Sequence, residues 1–250
     1  MSLRLRRRHW LGVGVAAAAM PFAAGAAFAQ GITIDFGDGG TLTERAIQLV
    51  ALITVLSLAP SILVMVTSFT RIVVVLSLLR SAIGLQSAPP NAVMIALALF
   101  LTAFVMMPTF QAAYDEGIRP LIDQSIEAPE AFERASRPFH DFMMKHVREK
   151  DLALFVDLSG TAAPQNPEDL SLRILVPAFM ISELRRAFEI GFLLYLPFII
   201  IDLVVASVLM SMGMMMLPPI VISLPFKLIF FVLVDGWNLI AGSLVESFAR

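Results

Sequence analysis

The sequence predicts an all-α membrane protein with about four long apolar helices and a small helical segment outside the membrane. Three observations lead to this fold class. Hydrophobic residues make up 58% of the chain and charged residues 15%, whereas soluble domains average about 25% charged residues. Several apolar stretches reach the roughly 20 residues that a helix needs to cross a bilayer. One sizeable polar segment, residues 114–173, separates an N-terminal pair of such stretches from a C-terminal pair.

The composition also excludes several classes of function. The chain has no cysteine, so it contains no disulfide, thiolate metal site or cysteine nucleophile. A formal net charge of -2 is too small to indicate a nucleic-acid partner. His140 and His146 lie on different faces of a helix without a third ligand at zinc spacing, so we expect surface histidines. No nucleophile, base and orienting group occur together, and we predict a protein that is not an enzyme and needs no metal or cofactor.

Residues 1–29 have the three parts of a cleavable signal peptide. Arg4 and residues 6–8, all arginines, form a basic region, Trp10–Met20 is apolar, and Ala27–Ala29 supplies the small residues of a cleavage site. The apolar part is too short to span the membrane. We therefore predict that residues 30–45 form an exported N-terminal segment.

Residues 46–110 are predicted to form the first membrane hairpin. Ala46–Phe69 and Ala92–Pro108 are apolar enough to span, and the only charges near their connection are Arg71 and Arg80. Because cytoplasmic loops carry an excess of basic residues, the connection is predicted to be cytoplasmic. This orientation agrees with an exported N-terminus.

Residues 111–176 are predicted to form an extracytoplasmic helical domain. Acidic residues outnumber basic ones, and Phe132, Phe139 and Phe142 recur at helical spacing, with a kink expected at Pro138. A helix with one apolar face must cover that face. In so small a segment, this pattern favours a partner subunit.

Residues 177–250 are predicted to form a second membrane hairpin, which begins with a charged helical turn. Glu183 and Arg186 have i,i+3 spacing, and Arg185 and Glu189 have i,i+4 spacing, so both pairs can interact along one helix. Two interpretations are open. The charges form a solvated turn before the membrane, or they contact another subunit.

Charged residues also lie within the second hairpin. Asp202 falls inside the predicted span Ile190–Met212, Asp235 falls inside the predicted span Leu228–Val245, and Lys227 stands at the entry of the latter. A carboxylate at membrane depth is costly unless it has a partner, so both aspartates are functional candidates. An ion relay is one interpretation. We favour bonds to neighbouring subunits or positions away from lipid, because the chain has no inverted repeat of the carrier type.

A methionine-rich turn joins the two helices of this hairpin. Proline ends the incoming helix because its ring removes an N–H group and clashes with the preceding turn. Glycine allows the backbone to bend. The methionines are Met210, Met212, Met214, Met215 and Met216, and the residues that shape the turn are Gly213, Pro218 and Pro219.

Three interpretations of the methionine cluster are open. The side chains pack against lipid or a core, as methionine commonly does. Alternatively they bind Cu(I), which prefers soft ligands, although neither cysteine nor a nearby histidine accompanies them. The third interpretation is a deformable hydrophobic seal around a pore. We favour the seal, because an unbranched thioether conforms to varied neighbours.

Three stretches closely resemble the FliP family, a membrane component of the flagellar type III protein export apparatus. They are TSFTRIVVVLSLLRSAIGLQSAPPNAVMIALALFLTAFVMMP (Thr67–Pro108), PAFMISELRRAFEIGFLLYLPFIIIDLVVASVLMSMGMMMLPP (Pro177–Pro219) and ISLPFKLIFFVLVDGW (Ile222–Trp237). The homologous virulence-secretion proteins of the SctR group share the membrane motifs. The cleavable signal favours the flagellar branch.

The resemblance implies a function that composition does not show. Several copies of the chain would assemble with FliQ and FliR into an export gate in the bacterial inner membrane, at the flagellar basal body, with FlhA and FlhB below it. Unfolded rod, hook and filament subunits would pass through this gate. The resemblance further implies bent helical hairpins in a helical hetero-oligomer, and a gasket formed by the methionines named above. A small secondary transporter and a methionine-lined copper channel stay as alternatives.

Overall fold

A computed structural model describes residues 42–160, 170–214 and 216–249 of the chain. The predicted signal peptide (residues 1–29), residues 30–41 of the predicted exported segment and Met215 lie outside the described residues. Within the described ranges all regular structure is helical and no strand occurs. The predicted all-α class is therefore confirmed.

The described helices occur in the following order along the chain. They are α1 (Leu42–Met65), α2 (Phe69–Ile83), α3 (Asn91–Ala113), a π-helical turn (Tyr114–Ile118), α4 (Arg119–Ile122), α5 (Ala128–His146), α6 (Glu149–Ser159), α7 (Leu172–Ser211), α8 (Pro219–Leu233) and α9 (Gly236–Ala249). The chain divides into two compact units within α1, at Val50. The first nine residues of α1 belong to the N-terminal unit, and the cores and candidate sites described below belong to the second unit.

Among the residues that the structure describes, three helical stretches are long and apolar enough to cross a membrane. They are Ala46–Met65, Asn91–Ile122 and Leu172–Ser211. The pair α8 and α9 would be a fourth, but its two helices are bent by 64° where they meet. The count of about four apolar helices is confirmed, and the predicted span Leu228–Val245 contains this bend.

The bend between α8 and α9 has a local cause. Asp235 adopts a left-handed backbone with φ 51°, a conformation that interrupts a right-handed helix. The next residue is Gly236, and a β-carbon there would lie only 2.2 Å from the ring of Phe231. The ring therefore packs against the glycine backbone, and the chain leaves α8 in a new direction.

Helix α2 forms the centre of the core. It was expected to be part of a cytoplasmic connection, but it lies packed between α7 and α3, where apolar side chains of α8 and α9 complete the cluster. The buried residues of α2 are Thr70, Arg71, Ile72, Val75, Leu76, Leu79, Ala82 and Ile83. The helix ends at Gly84, whose φ of 93° gives the left-handed cap that favours glycine.

A second, smaller core lies under the helices of the polar segment. Met143, Leu170, Leu175 and Phe179 are buried there, between α5, α6 and the first turns of α7. Helix α7 continues without a break for 40 residues. It therefore takes part in both cores and connects the polar segment to the methionine turn.

Candidate functional site

The methionine turn closes the hairpin formed by α7 and α8. Gly213 has a φ of 73°, and its N–H donates to the carbonyl of Met210, while the N–H of Met214 donates to the carbonyl of Leu209. These are the bonds of a glycine-capped helix end. Pro218 and Pro219 then begin α8, where a missing N–H costs nothing. The predicted turn residues therefore lie together in the predicted turn.

The four methionines of this turn that the structure describes are exposed in the isolated chain. The side chain of Met216 is 98% exposed, and those of Met210, Met212 and Met214 are also exposed. Packing in the core of their own chain therefore does not explain these four residues. They present thioethers at the apex of the hairpin, available to whatever surrounds it.

A partly buried ion pair lies within the same hairpin, with the side chain of Asp202 33% exposed. The ammonium of Lys227 on α8 is 2.7 Å from Oδ2 of Asp202 on α7 and also donates to the carbonyl of Ala82, at 3.2 Å. The hydroxyl of Ser223 donates to Oδ1 of Asp202 at 2.5 Å. Both carboxylate oxygens of Asp202 therefore have donors within the chain, and contacts of this residue with a neighbouring subunit stay a prediction.

A second buried ion pair joins α7 to α2. Arg71 donates from Nε to Oε2 of Glu183 at 2.8 Å, and its Nη2 pairs with Oε1 of the same carboxylate. The side chains are 1% and 0% exposed, respectively. The guanidinium also lies over the ring of Phe248 on α9 at 3.7 Å and donates to the hydroxyl of Ser247. The planar guanidinium suits this bidentate and stacked site.

Only one of the two ion pairs that sequence spacing predicts along α7 forms in the structure. Glu183 does not pair with Arg186 but with an arginine 112 residues earlier in the sequence, whereas Arg185 and Glu189 form the expected i,i+4 pair at 3.0 Å in an exposed position. Arg186 is half-buried beside the ion pair. Glu183 and Arg185 face different sides of α7 because successive residues are turned by about 100°.

The two arginines of α2 have separate roles. The charge of Arg71 is balanced by Glu183 in the buried pair. Arg71 therefore does not indicate which side of the membrane the connection faces. Arg80 donates to Oδ1 of Asn91 at 2.6 Å and to the carbonyl of Pro89, and thereby fastens the turn between α2 and α3. Of these two arginines, only Arg80 therefore supports the prediction that the connection is cytoplasmic.

Ser182 is a structural residue that the sequence pattern did not reveal. Its hydroxyl donates to Oδ2 of Asp151 at 2.7 Å and accepts from the N–H of Arg148 at 3.1 Å. Arg148 precedes α6, and Asp151 lies in the first turn of that helix. Ser182 thus completes from α7 the kind of cap that normally forms within one helix. A small polar residue next to Glu183 in an apolar helix was the only signal.

Asp235 lies at the junction of α8 and α9, within the predicted span Leu228–Val245. It is exposed at the bend, where its carboxylate accepts from the side-chain amide of Asn238 at 3.1 Å and its carbonyl accepts from the N–H of Leu239. These bonds hold the first turn of α9. The residue therefore shapes the bend.

The expectation of surface histidines is also wrong. His140 and His146 are 9% and 3% exposed. The imidazole of His146 lies against the rings of Phe142 and Phe248, and its two nitrogens face the carbonyls of the same residues at 2.8 and 3.3 Å. The apolar face of α5 is thus covered partly by α7 and α9 of the same chain.

We expect the stability of this region to fall on acidification. Burial lowers the pKa of His146 below 6.5, the two carbonyls oppose that shift, and the charge of Arg71 adds to it. The unfolded chain therefore takes up a proton below pH 6.5 that the folded chain resists, and stability decreases from pH 6.5 down to the lower folded pKa. Thermal unfolding between pH 7.5 and 5.5 should show a smaller pH dependence for His146→Gln than for wild type. Equal slopes would contradict the prediction.

The fold and these sites define an all-α membrane protein with no catalytic arrangement among its described residues. One ion pair joins α7 to α2 and a second joins α7 to α8, and the hairpin formed by α7 and α8 ends in an exposed methionine turn. The family model of the FliP family matches residues 52–244, and the chain belongs to this family. It is therefore a membrane-embedded component of the flagellar export apparatus rather than an enzyme.

Curated relatives agree with this family over nearly the whole chain. "Flagellar biosynthetic protein FliP" of Caulobacter vibrioides is 65% identical over 98% of this chain and 92% of its own length. The protein of the same name from Bacillus subtilis is 56% identical, over 82% and 93%. That of Aquifex aeolicus is 50% identical, over 90% and 95%. All three relatives have names that place them among the flagellar members of the family.

Proposed function

We propose that this chain is a pore-forming subunit of the flagellar export gate, in which the methionine turn is a conformable seal. Several copies would assemble with FliQ and FliR in the inner membrane, with FlhA and FlhB below, and pass unfolded flagellar subunits. The exposed thioethers at the apex of the α7–α8 hairpin are the observation that carries the proposal. A gate for varied unfolded chains needs an apolar constriction that holds back ions and still yields, and methionine side chains supply that softness.

Replacing Met214, Met215 and Met216 together by alanine is expected to raise ion leakage through the assembled complex several-fold, because the shorter side chains no longer fill the constriction. Leakage is measured as ion flux into vesicles that contain the purified complex, and assembly is followed on a native gel. Met107→Ala is the matched control, since it removes an exposed thioether from α3, outside the turn. A triple variant that assembles and leaks no more than wild type would contradict the seal.

The proposed partners have a separate test. Gentle purification of the mature chain with its co-expressed neighbours, followed by native mass spectrometry, should give a large hetero-oligomer with several copies of this chain. A monomer or dimer that carries copper would favour the methionine-lined copper channel. A monomer or dimer without copper would favour a small transporter.

An ion relay through the hairpin finds little support. Asp202 is bound by Lys227 and Ser223, and Asp235 is exposed at a helix bend. Both carboxylates therefore have donors within the chain, which gives each of them a structural role that needs no ion relay.

A further inference from the structure

The hairpin that carries the methionine turn is loosely packed beyond its ion pair. From Asp202 to the end of α7 the helix extends for about 14 Å, at 1.5 Å per residue. Most large apolar side chains on this stretch and on the facing turns of α8 are more than half exposed, including Leu203, Val208, Ile220 and Val221. Apolar packing alone therefore holds the tip only weakly.

The two arms of this tip also do not fill the space between them. An open cleft of about 470 Å³ lies between α7 and α8, lined by Val204, Val208, Leu209, Ile222 and Phe226 among others. Loss of close contact across such a gap removes the dispersion energy that would otherwise hold two helices together. The position of the tip must therefore be fixed at the base of the cleft.

The Asp202–Lys227 pair lies at that base and has the geometry to fix it. Ser223 and Lys227 are one turn apart on the same face of α8, and each binds a different oxygen of Asp202. Two bonds to one carboxylate set both the rotation and the axial position of α8 against α7. Lys227 is only 5% exposed, so water competes little for its bonds.

The same ammonium fastens the hairpin to the core. Its second bond goes to the carbonyl of Ala82, in the last turn of α2. The carbonyls at a helix C-terminus lack helical partners and attract positive charge. Lys227 therefore connects the tip of the hairpin to α2, the helix at the centre of the core.

Both arms also contain a proline near this point. Pro197 lies just over one turn before Asp202, and Pro225 lies between Ser223 and Lys227. Each proline removes one helical hydrogen bond, which makes bending easier there. The ion pair is thus placed where both arms bend most readily.

We propose that Asp202 and Lys227 form a positioning clamp that holds the arms of the methionine hairpin together and keeps the methionine turn in its sealing position. Opening of the clamp lets the arms separate about their prolines. This inference rests on the proposed seal, and both residues are positioning residues that act on the turn through the two helices.

The test measures the separation of the arms directly. The chain has no cysteine, so spin labels can be attached through Val208→Cys and Ile220→Cys at the tip. Phe192→Cys and Leu233→Cys make a second pair on the same two helices, on the other side of the clamp. All four positions are exposed. Labelled chain is diluted into an excess of unlabelled chain in the assembled complex, so that pulsed dipolar spectroscopy reports distances within one chain.

We expect Lys227→Met to broaden the tip distance distribution and shift it to longer values, with no change in the Phe192–Leu233 distribution. Lys227→Met leaves the half-buried carboxylate of Asp202 without its cation, which can prevent assembly. The double variant Asp202→Leu, Lys227→Met is therefore measured as well, because it has no unpaired charge at this place. Lys227→Arg should stay closer to wild type, and Glu189→Gln, which removes only the exposed pair on α7, should not differ from it.

An unchanged tip distribution in the assembled double variant would overturn the clamp. So would equal broadening of both label pairs, which would indicate general loosening of the fold. A tip that separates without any increase in ion leakage would leave the clamp standing and would contradict the seal. Failure of this inference and failure of the proposed function are therefore distinguishable.

Discussion

Replacing Glu183 by alanine is expected to destabilise the protein by about 3–5 kcal/mol, because it leaves the guanidinium of Arg71 buried without its counter-charge. The two side chains have almost no contact with solvent. The pair also holds α9, through Ser247 and Phe248. We therefore expect a large fall in the thermal unfolding midpoint in detergent, together with easier proteolysis of α9.

The exposed pair on the same helix is the matched control. Glu189→Ala removes the partner of Arg185, whose side chain is 54% exposed, and surface pairs contribute only about 0–1 kcal/mol. The double variant Arg71→Met, Glu183→Leu should recover much of the stability, because it buries no charge. If Glu183→Ala and Glu189→Ala unfolded at the same temperature, the buried pair would not have the stabilising role assigned to it.

Gly117→Ala is expected to separate the π-helical turn from α5 at a cost of about 1–3 kcal/mol. A β-carbon at this position would lie 2.6 Å from the β-carbon of Ala135 and 2.7 Å from the carbonyl oxygen of Ala131. These neighbours are backbone or are fixed directly to it, so no rotamer change relieves the clash. The loss should appear as a lower unfolding midpoint and as faster amide exchange in α5.

Gly242→Ala is the control for this substitution. Gly242 lies within α9, and a β-carbon there would meet nothing within 4 Å. Alanine is better than glycine in a helix by about 0.5–1 kcal/mol, so this variant should be slightly more stable than wild type. A Gly117→Ala variant as stable as Gly242→Ala would show that the turn and α5 do not pack as closely as the structure indicates.

Much of the fold follows from local features of the sequence. Apolar length and composition predict the membrane helices, and Gly213 with the prolines Pro218 and Pro219 predicts the methionine turn, since backbone restrictions act on a residue and its immediate neighbours. The exposed Arg185–Glu189 pair belongs to the same group, because i,i+4 contacts need nothing beyond one helix. The domain boundaries and the membrane orientation stay predictions.

The partners of the buried charges were not predictable in this way. Glu183 has Arg186 within reach along its own helix and yet binds Arg71, and Asp202 binds Lys227 across the hairpin. The choice depends on which face of α7 is turned towards α2 and α8. That rotation results from the packing of several helices at once, and an almost uniformly apolar helix gives no periodic pattern from which to read it.

The burial of the histidines and the start of the last helix also depend on tertiary packing. His140 and His146 have polar side chains, but the packing of α7 and α9 buries them. The apolar run that was predicted as one span is bent at Asp235, because the ring of Phe231 occupies the space beside Gly236. The sequence by itself determined the helical class, the apolar segments and the methionine turn, because these depend on local chemistry. Only the tertiary structure decided which charges pair, which polar groups are buried and where α8 ends, because contacts between residues distant in sequence set the environment of each side chain.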